Sequence, residues 1–275
     1  MGDDGIVVLH GGPPHDRPYP RVLAHRGASD VVAEHTLSAY LRAIDEGADG
    51  LECDVRLTAD GHLVCVHDRR VERTSSGTGL VSTLELSDLE RLDWASWRQP
   101  WSDLDDEAPD VTDTGVLTLS RLLDVVLQAE RPIELAIETK HPTRYAGLVE
   151  RRLVELLSRY GLTDPHDARV RVMSFARGAL RRIRDLAPGI TTVLLFDRMS
   201  RRIRTGQLPW GINTAGVNIQ LVRRDPDLVA RFHAAGHELY AFTVNAPADA
   251  RLCADLGVDA IITDRPGVIR GQLAA

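Results

Sequence analysis

The chain has 275 residues, a formal net charge of −7, 43% hydrophobic residues and 27% charged residues. This is the composition of an ordinary folded protein. Its acidic balance disfavours nucleic acid or an anionic lipid surface as partner, since both need clustered Lys and Arg. No apolar run is long enough to span a bilayer. The four apolar residues Ile6 to Leu9 are too few for the core of a signal peptide, so the expectation is a cytoplasmic protein without stable membrane insertion.

In chain order, Val22 to Ala24 is a short apolar run ending at His25-Arg26-Gly27. Thr36 to Glu46 then carries Leu37, Tyr40, Leu41 and Ile44 at helical spacing and stops at Gly47. Gly50 to Val55 and Leu63 to His67 are strand candidates joined by Arg56 to His62, a connection too short for a helical crossover. If the two run parallel, their C-terminal ends coincide; if they form a hairpin around Asp60-Gly61, position 67 falls near position 52. Either arrangement brings His67 close to Glu52.

Residues 69 to 117 break the alternation and hold Trp94, Trp97 and Trp101, with an acidic stretch from Asp103 to Asp113. They are expected to form an insertion, either a self-packed satellite or a lid over the site. Strand and helix patterns resume at Ile133 to Thr139 then Tyr145 to Arg159, Val170 to Phe175 then Ala176 to Leu186, and Glu238 to Val244 then Pro247 to Leu256. Weaker strand candidates are Thr191 to Phe196, Ala215 to Ile219 and Ala260 to Thr263. Strands alternating with amphipathic helices imply a parallel sheet, open or closed into a barrel, and nine candidates leave one outside an eight-stranded barrel.

Within Gly50-Leu51-Glu52-Cys53-Asp54-Val55 two carboxylates sit at i and i+2 of an apolar strand, hence on one face. Two such charges repel by about 4 kcal/mol at ~4 Å and an effective dielectric of ~20, so a semi-buried pair calls for a cation, and a hard divalent ion suits oxygen donors. Glu138 repeats the pattern at the end of Ile133 to Thr139, followed by Lys140. Lys140 is the only lysine in a chain with 33 basic residues. His25 and His67 end strands at the face where barrels keep reactive groups. The other histidines, His10, His15, His62, His141 and His237 among them, are expected at solvated termini, turns or helix flanks.

Glu52, Asp54 and Glu138 against Arg26 and Lys140 leave one net negative charge, which would repel an anion. One divalent ion reverses the sign and matches a singly charged phosphodiester. Two histidines supply a general acid and base near neutral pH. The three cysteines, Cys53, Cys65 and Cys253, are odd in number and never spaced as Cys-x-x-Cys, which argues for reduced, buried thiols rather than a disulfide or thiolate zinc site.

These residues resemble the glycerophosphodiester phosphodiesterases. The resemblance rests on Leu23-Ala24-His25-Arg26-Gly27-Ala28, Glu34-His35-Thr36-Leu37, Gly47 to Val55, Thr58-Ala59-Asp60-Gly61 and Val64-Cys65-Val66-His67-Asp68. Later motifs are Ile137-Glu138-Thr139-Lys140, Ala241 to Asn245 and Gly257 to Pro266. The resemblance implies one TIM-type (β/α)8 barrel domain over residues 1–275, with the insertion at 69–117. It further implies a Ca2+ or Mg2+ ion on Glu52, Asp54 and Glu138, His25 and His67 as acid and base, and Arg26 and Lys140 on the phosphate.

The substrate would be a small glycerophosphodiester, cleaved to glycerol 3-phosphate and an alcohol by water or through a cyclic phosphate. Two positions depart from the family. His35 stands where asparagine is usual, and is expected to alter only local hydrogen bonding. Phe242 stands where tryptophan is frequent, and is expected to bear on alcohol preference; on this reading neither touches a ligand or proton carrier. Two other readings are a phospholipase D-like enzyme on lysophospholipids or sphingolipids, whose apolar rim the insertion tryptophans could supply, and a catalytically silent phosphodiester-binding barrel. Oligomeric state is not legible.

Overall fold

The computed structural model describes residues 19–98, 114–145, 147–201, 203–209 and 211–275. Eight strands, β1 (Arg21–His25), β2 (Gly50–Leu57), β4 (Glu134–Thr139), β5 (Val170–Ser174), β6 (Thr191–Phe196), β7 (Thr214–Asn218), β8 (Glu238–Phe242) and β9 (Ala260–Thr263), pair in parallel. The β1–β2 pairing closes the ring, giving a TIM-type barrel. The ninth strand, β3 (Leu63–Cys65), is the surplus candidate. It pairs antiparallel with β2, Val55 opposite Cys65, in a hairpin that turns at Gly61 with φ +89°.

The helices are α1 (Leu37–Asp45), α2 (Leu86–Glu90), α3 (Leu119–Gln128), α4 (Leu148–Arg159), α5 (Arg177–Leu186), α6 (Ile219–Arg224), α7 (Leu228–Ala234), α8 (Pro247–Asp255) and α9 (Pro266–Ala274). The α1 helix starts where the Thr36 hydroxyl accepts from the Ala39 amide at 3.2 Å, and the chain leaves it through Gly47 at φ +83°. Helices α2, α3, α6, α7 and α9 are not among the sequence expectations. Among the described residues no helix is long and apolar enough to cross a membrane.

Strand period two separates the barrel's faces. Outward residues such as Leu51, Cys53, Val55, Leu135 and Ile137 pack with the helices in the main core, while Leu23, Ala136, Met173, Val193, Leu195, Tyr240 and Ile262 fill the interior. Along β1, β2 and β4 the inward positions at the C-terminal end are His25, then Glu52 and Asp54, then Glu138. Between β3 and α3, Trp94 and Leu89 join Val64, Val66, Val71 and Val81 in a separate cluster. The Trp94 indole donates to Leu89 O and that of Trp97 to Trp94 O, both at 3.0 Å. Trp94 is therefore packed within a satellite, and the half-buried Trp97 is tied to its edge. Trp101 and the stretch 103–113 lie outside the described residues.

Candidate active site

Parallel register assembles the site. His25 pairs with Glu52 across β1 and β2, and Asp54 with Glu138 across β2 and β4. Oxygens of the buried Glu52, Asp54 and Glu138 lie within 4.8 Å of one another. Glu52 and Glu138 share an open cavity of about 580 Å³ with His25, His67, Arg26 and Lys140. Every residue singled out for chemistry in the sequence except Asp54 lines it directly, and Asp54 lies beneath.

The carboxyl pKa values are shifted in opposite directions. Asp54 is buried, which raises a carboxyl pKa, but Lys140, the His35 hydrogen bond and Arg26 outweigh this and hold it well below the usual range. Burial, then the repulsion of Asp54, pushes Glu52 well up. The same two causes bring Glu138 to about 7 despite Lys140. Lys140 Nζ sits 2.9 Å from Asp54 Oδ1 and 2.8 Å from Glu138 Oε1, and Arg26 Nε sits 3.0 Å from Asp54 Oδ2. The Lys140 contact with Asp54 Oδ1 is misaligned for a hydrogen bond and leaves that buried oxygen without one. Three converging oxygen donors, two of them with carboxyl pKa values raised by burial and mutual repulsion, fit a hard divalent cation.

The two histidines are held alike. His25 Nδ1 lies 2.6 Å from Asp264 Oδ1, and Asp264 is fixed by the Ser29 hydroxyl at 3.0 Å and the Asn245 amide at 2.5 Å. His67 Nδ1 lies 2.7 Å from Asp68 Oδ1, and Asp68 is held in turn by Arg73. A carboxylate at Nδ1 selects the Nδ1–H tautomer and leaves Nε2 as the acceptor for the cavity. Burial lowers the His67 pKa to about 4, with Lys140 and Arg26 adding to it against Asp54, so this ring is neutral at pH 7.

The structure corrects the expectation for His35. Its side chain is buried, with Nε2 3.0 Å from Asp54 Oδ2 and Nδ1 2.8 Å from the Tyr40 hydroxyl. It therefore touches a proposed metal ligand. The backbone explains its place in the motif: φ is +61° at both His35 and Arg26, and the His35 amide donates to Arg26 O at 3.1 Å. Asparagine and histidine tolerate this left-handed region better than most residues. His141, also expected to be solvated, instead meets the buried Glu150 at 2.7 Å. His10 and His15 lie outside the described residues.

A model of the glycerophosphoryl diester phosphodiesterase family matches residues 25–268. The chain belongs to the glycerophosphodiester phosphodiesterase family. It is 45% identical over 260 residues to probable glycerophosphodiester phosphodiesterase 1 of Mycobacterium tuberculosis, covering 93% of each chain. It is 32% identical over 250 residues to a glycerophosphodiester phosphodiesterase of Bacillus subtilis, covering 89% of this chain and 83% of that one. Among solved structures, an Oleispira antarctica phosphodiesterase in complex with the product sn-glycerol-3-phosphate superposes with a TM-score of 0.77. Its identity to this chain is 25%, over 94% of this chain and 98% of that one. Membership makes the protein a phosphoric diester hydrolase.

Several supports of this phosphodiesterase site are not legible from composition or spacing. Glu34 accepts from both Arg26 and Arg73, tying the loop after β1 to the loop after β3. Asp264, Asn245 and Asp68 stand inside the family motifs, but only the fold shows that they hold histidines or one another. Phe242 lines the cavity as expected and meets Phe175 edge to face at 5.9 Å. Phe175 ends a predicted strand, and nothing in its spacing marks it as part of the cavity.

Proposed function

We propose that this protein hydrolyses glycerophosphodiesters to glycerol 3-phosphate and an alcohol, using Ca2+ or Mg2+ on Glu52, Asp54 and Glu138. The observation that carries this reading is a cluster of three buried carboxylates, two of them lining one cavity beside two histidines, each held at Nδ1 by its own carboxylate. The glycerol 3-phosphate found in the Oleispira antarctica relative supports the choice of product. When bound, the divalent ion supplies positive charge for the phosphoryl oxygens and acidity for a coordinated hydroxyl.

The chain's own residues do the rest. Arg26 and Lys140 bind the diester's negative charge. One imidazole takes the proton of the attacking hydroxyl as its oxygen bonds to phosphorus, and the other gives a proton to the alkoxide that departs. Attack by water and attack by the glycerol hydroxyl, through a cyclic phosphate, need the same two transfers. Phe242 and Phe175 form an apolar wall for the carbon skeleton of the substrate. A lysophospholipid or sphingolipid would need an apolar rim, and Trp94 is packed inside the satellite. We read the chain as one catalytic domain, with residues 69–117 as its insertion.

The proton roles are tested with His25→Ala and His67→Ala. Each should lower kcat on glycerophosphocholine by about 10²-fold or more. A diester with a nitrophenolate leaving group, which needs no protonation, should restore only the variant that lost the acid. Equal, small losses in both variants on both substrates would contradict the assignment.

A further inference from the structure

Beside the catalytic cavity, on the β2 and β4 side of the barrel mouth, lies a second recess that the proposed chemistry does not use. Its polar lining comes from Arg56, Arg69, Lys140 and Arg144 with Ser82 and Tyr145, and no carboxylate lines it. Four cations around one recess are notable in a chain of net charge −7. Arg56, Arg69 and Arg144 form no ion pair among the described residues. Lys140 lines both this recess and the catalytic cavity, so the two are adjacent.

The walls are tied in place. Arg56 donates Nε and Nη2 to His67 O at 2.9 and 2.6 Å. The Arg144 guanidinium lies 5.6 Å from the centroid of the Tyr145 ring, whose hydroxyl donates to Ser82 O at 2.7 Å. The Val81 amide donates to Arg69 O at 3.0 Å, joining the remaining wall. Guanidinium groups without carboxylate partners around a concave surface are suited to carboxylate or phosphate oxygens. The recess is small, about 370 Å³ including the part open to solvent, and suits one end of a substrate rather than a second molecule.

We propose that this recess binds an anionic substituent on the alcohol portion of the diester, a carboxylate or phosphomonoester, so that the enzyme prefers glycerophosphodiesters with an acidic alcohol group. This inference rests on the phosphodiesterase reading and specifies its substrate class. Lys140 faces the scissile phosphate, while Arg69 and Arg144 meet the second charge. A quaternary ammonium placed there would be repelled.

The test uses matched pairs of substrates: glycerophosphoserine against glycerophosphoethanolamine, and glycerophosphoinositol 4-phosphate against glycerophosphoinositol. Within each pair only the extra anion differs. In the full-length Arg69→Ala/Arg144→Ala protein, the kcat/KM advantage of the anionic member should fall about fivefold or more, as expected for two partly exposed charge pairs. A fall in the serine pair alone would identify a carboxylate site, and one in the inositol pair alone a phosphate site. An unchanged ratio in both pairs overturns the proposal.

Calorimetric binding of the same four compounds in EDTA separates this inference from the reading beneath it. If no diester is turned over, the phosphodiesterase reading fails, and the binding ratios alone decide. A fivefold loss confined to the anionic members then upholds the recess, and equal binding before and after substitution overturns it.

Discussion

His35 is the residue whose importance is least visible in the sequence. Alone it looks like one more loop histidine, yet the left-handed backbone turns it inward, where it joins Asp54 to Tyr40. Groups behind a metal ligand fix its orientation, and their loss commonly weakens metal binding ~10- to 100-fold. His35→Ala should therefore lower Ca2+ or Mg2+ affinity within that range, measured by calorimetry. His35→Asn, which tolerates the backbone and can still reach Asp54 with one hydrogen bond, should lose less. Equal affinity in all three proteins would remove His35 from the metal site.

Glu138 supplies a pH signature. Its proton persists to about 7 in the metal-free fold, against an ordinary value of 4.5. Between these values the folded chain binds more protons than the unfolded one, so raising the pH weakens the metal-free fold through this group. His67, lowered from 6.5 to about 4, acts in the opposite sense over an overlapping window. The difference between metal-loaded and EDTA-treated protein isolates the raised carboxylates of the cluster, Glu138 together with Glu52. That difference in Tm should grow from pH 5 to pH 8, because the ion displaces a proton at the lower end and relieves repulsion at the upper end. An increment independent of pH would contradict the assignment of Glu138 as a ligand.

At the scale of elements, strand β4 carries two sites of different purpose. Glu138 closes the catalytic end, whereas Glu134 at the opposite end is paired with Arg21 and Arg171 and accepts from the Tyr240 hydroxyl at 3.0 Å. Glu134→Gln would leave Arg21 and Arg171, two largely buried guanidinium groups, with Glu238 as the carboxylate still facing both. It should cost about 2 kcal/mol of stability in denaturant unfolding, with kcat/KM unchanged. A loss of activity without a loss of stability would contradict this division of the barrel.

The strands were readable as short apolar runs between helical patterns, because a parallel barrel buries both faces of each strand, and all nine candidates are strands. Their pairing was not readable. The hairpin and parallel alternatives for residues 50 to 67 have the same pattern, and only the β2–β3 register decides between them. The chain before α3 was obscured by the insertion, and the short helices α6 and α7 carry too few turns for a clear period. The acids and histidines of the site were legible because charge inside an apolar strand is conspicuous. Asp264, Asn245 and Glu34 were not, because they act from loops far away in sequence.

In the whole molecule the closed parallel ring delivers the C-terminal ends of β1, β2 and β4 to one mouth, and the hairpin brings His67 there from outside the ring. The central claim is that this mouth is a metal-dependent phosphodiesterase centre. The measurement that tests it most directly is release of glycerol 3-phosphate from glycerophosphocholine by the intact protein. It is made with EDTA, after restoring Ca2+ or Mg2+, and with His25→Ala beside it. The expected result is activity abolished by EDTA, regained with one of the two ions, and lost in the variant although it stays folded and binds the ion. Turnover indifferent to EDTA, or no turnover by folded, metal-loaded protein, would contradict the account.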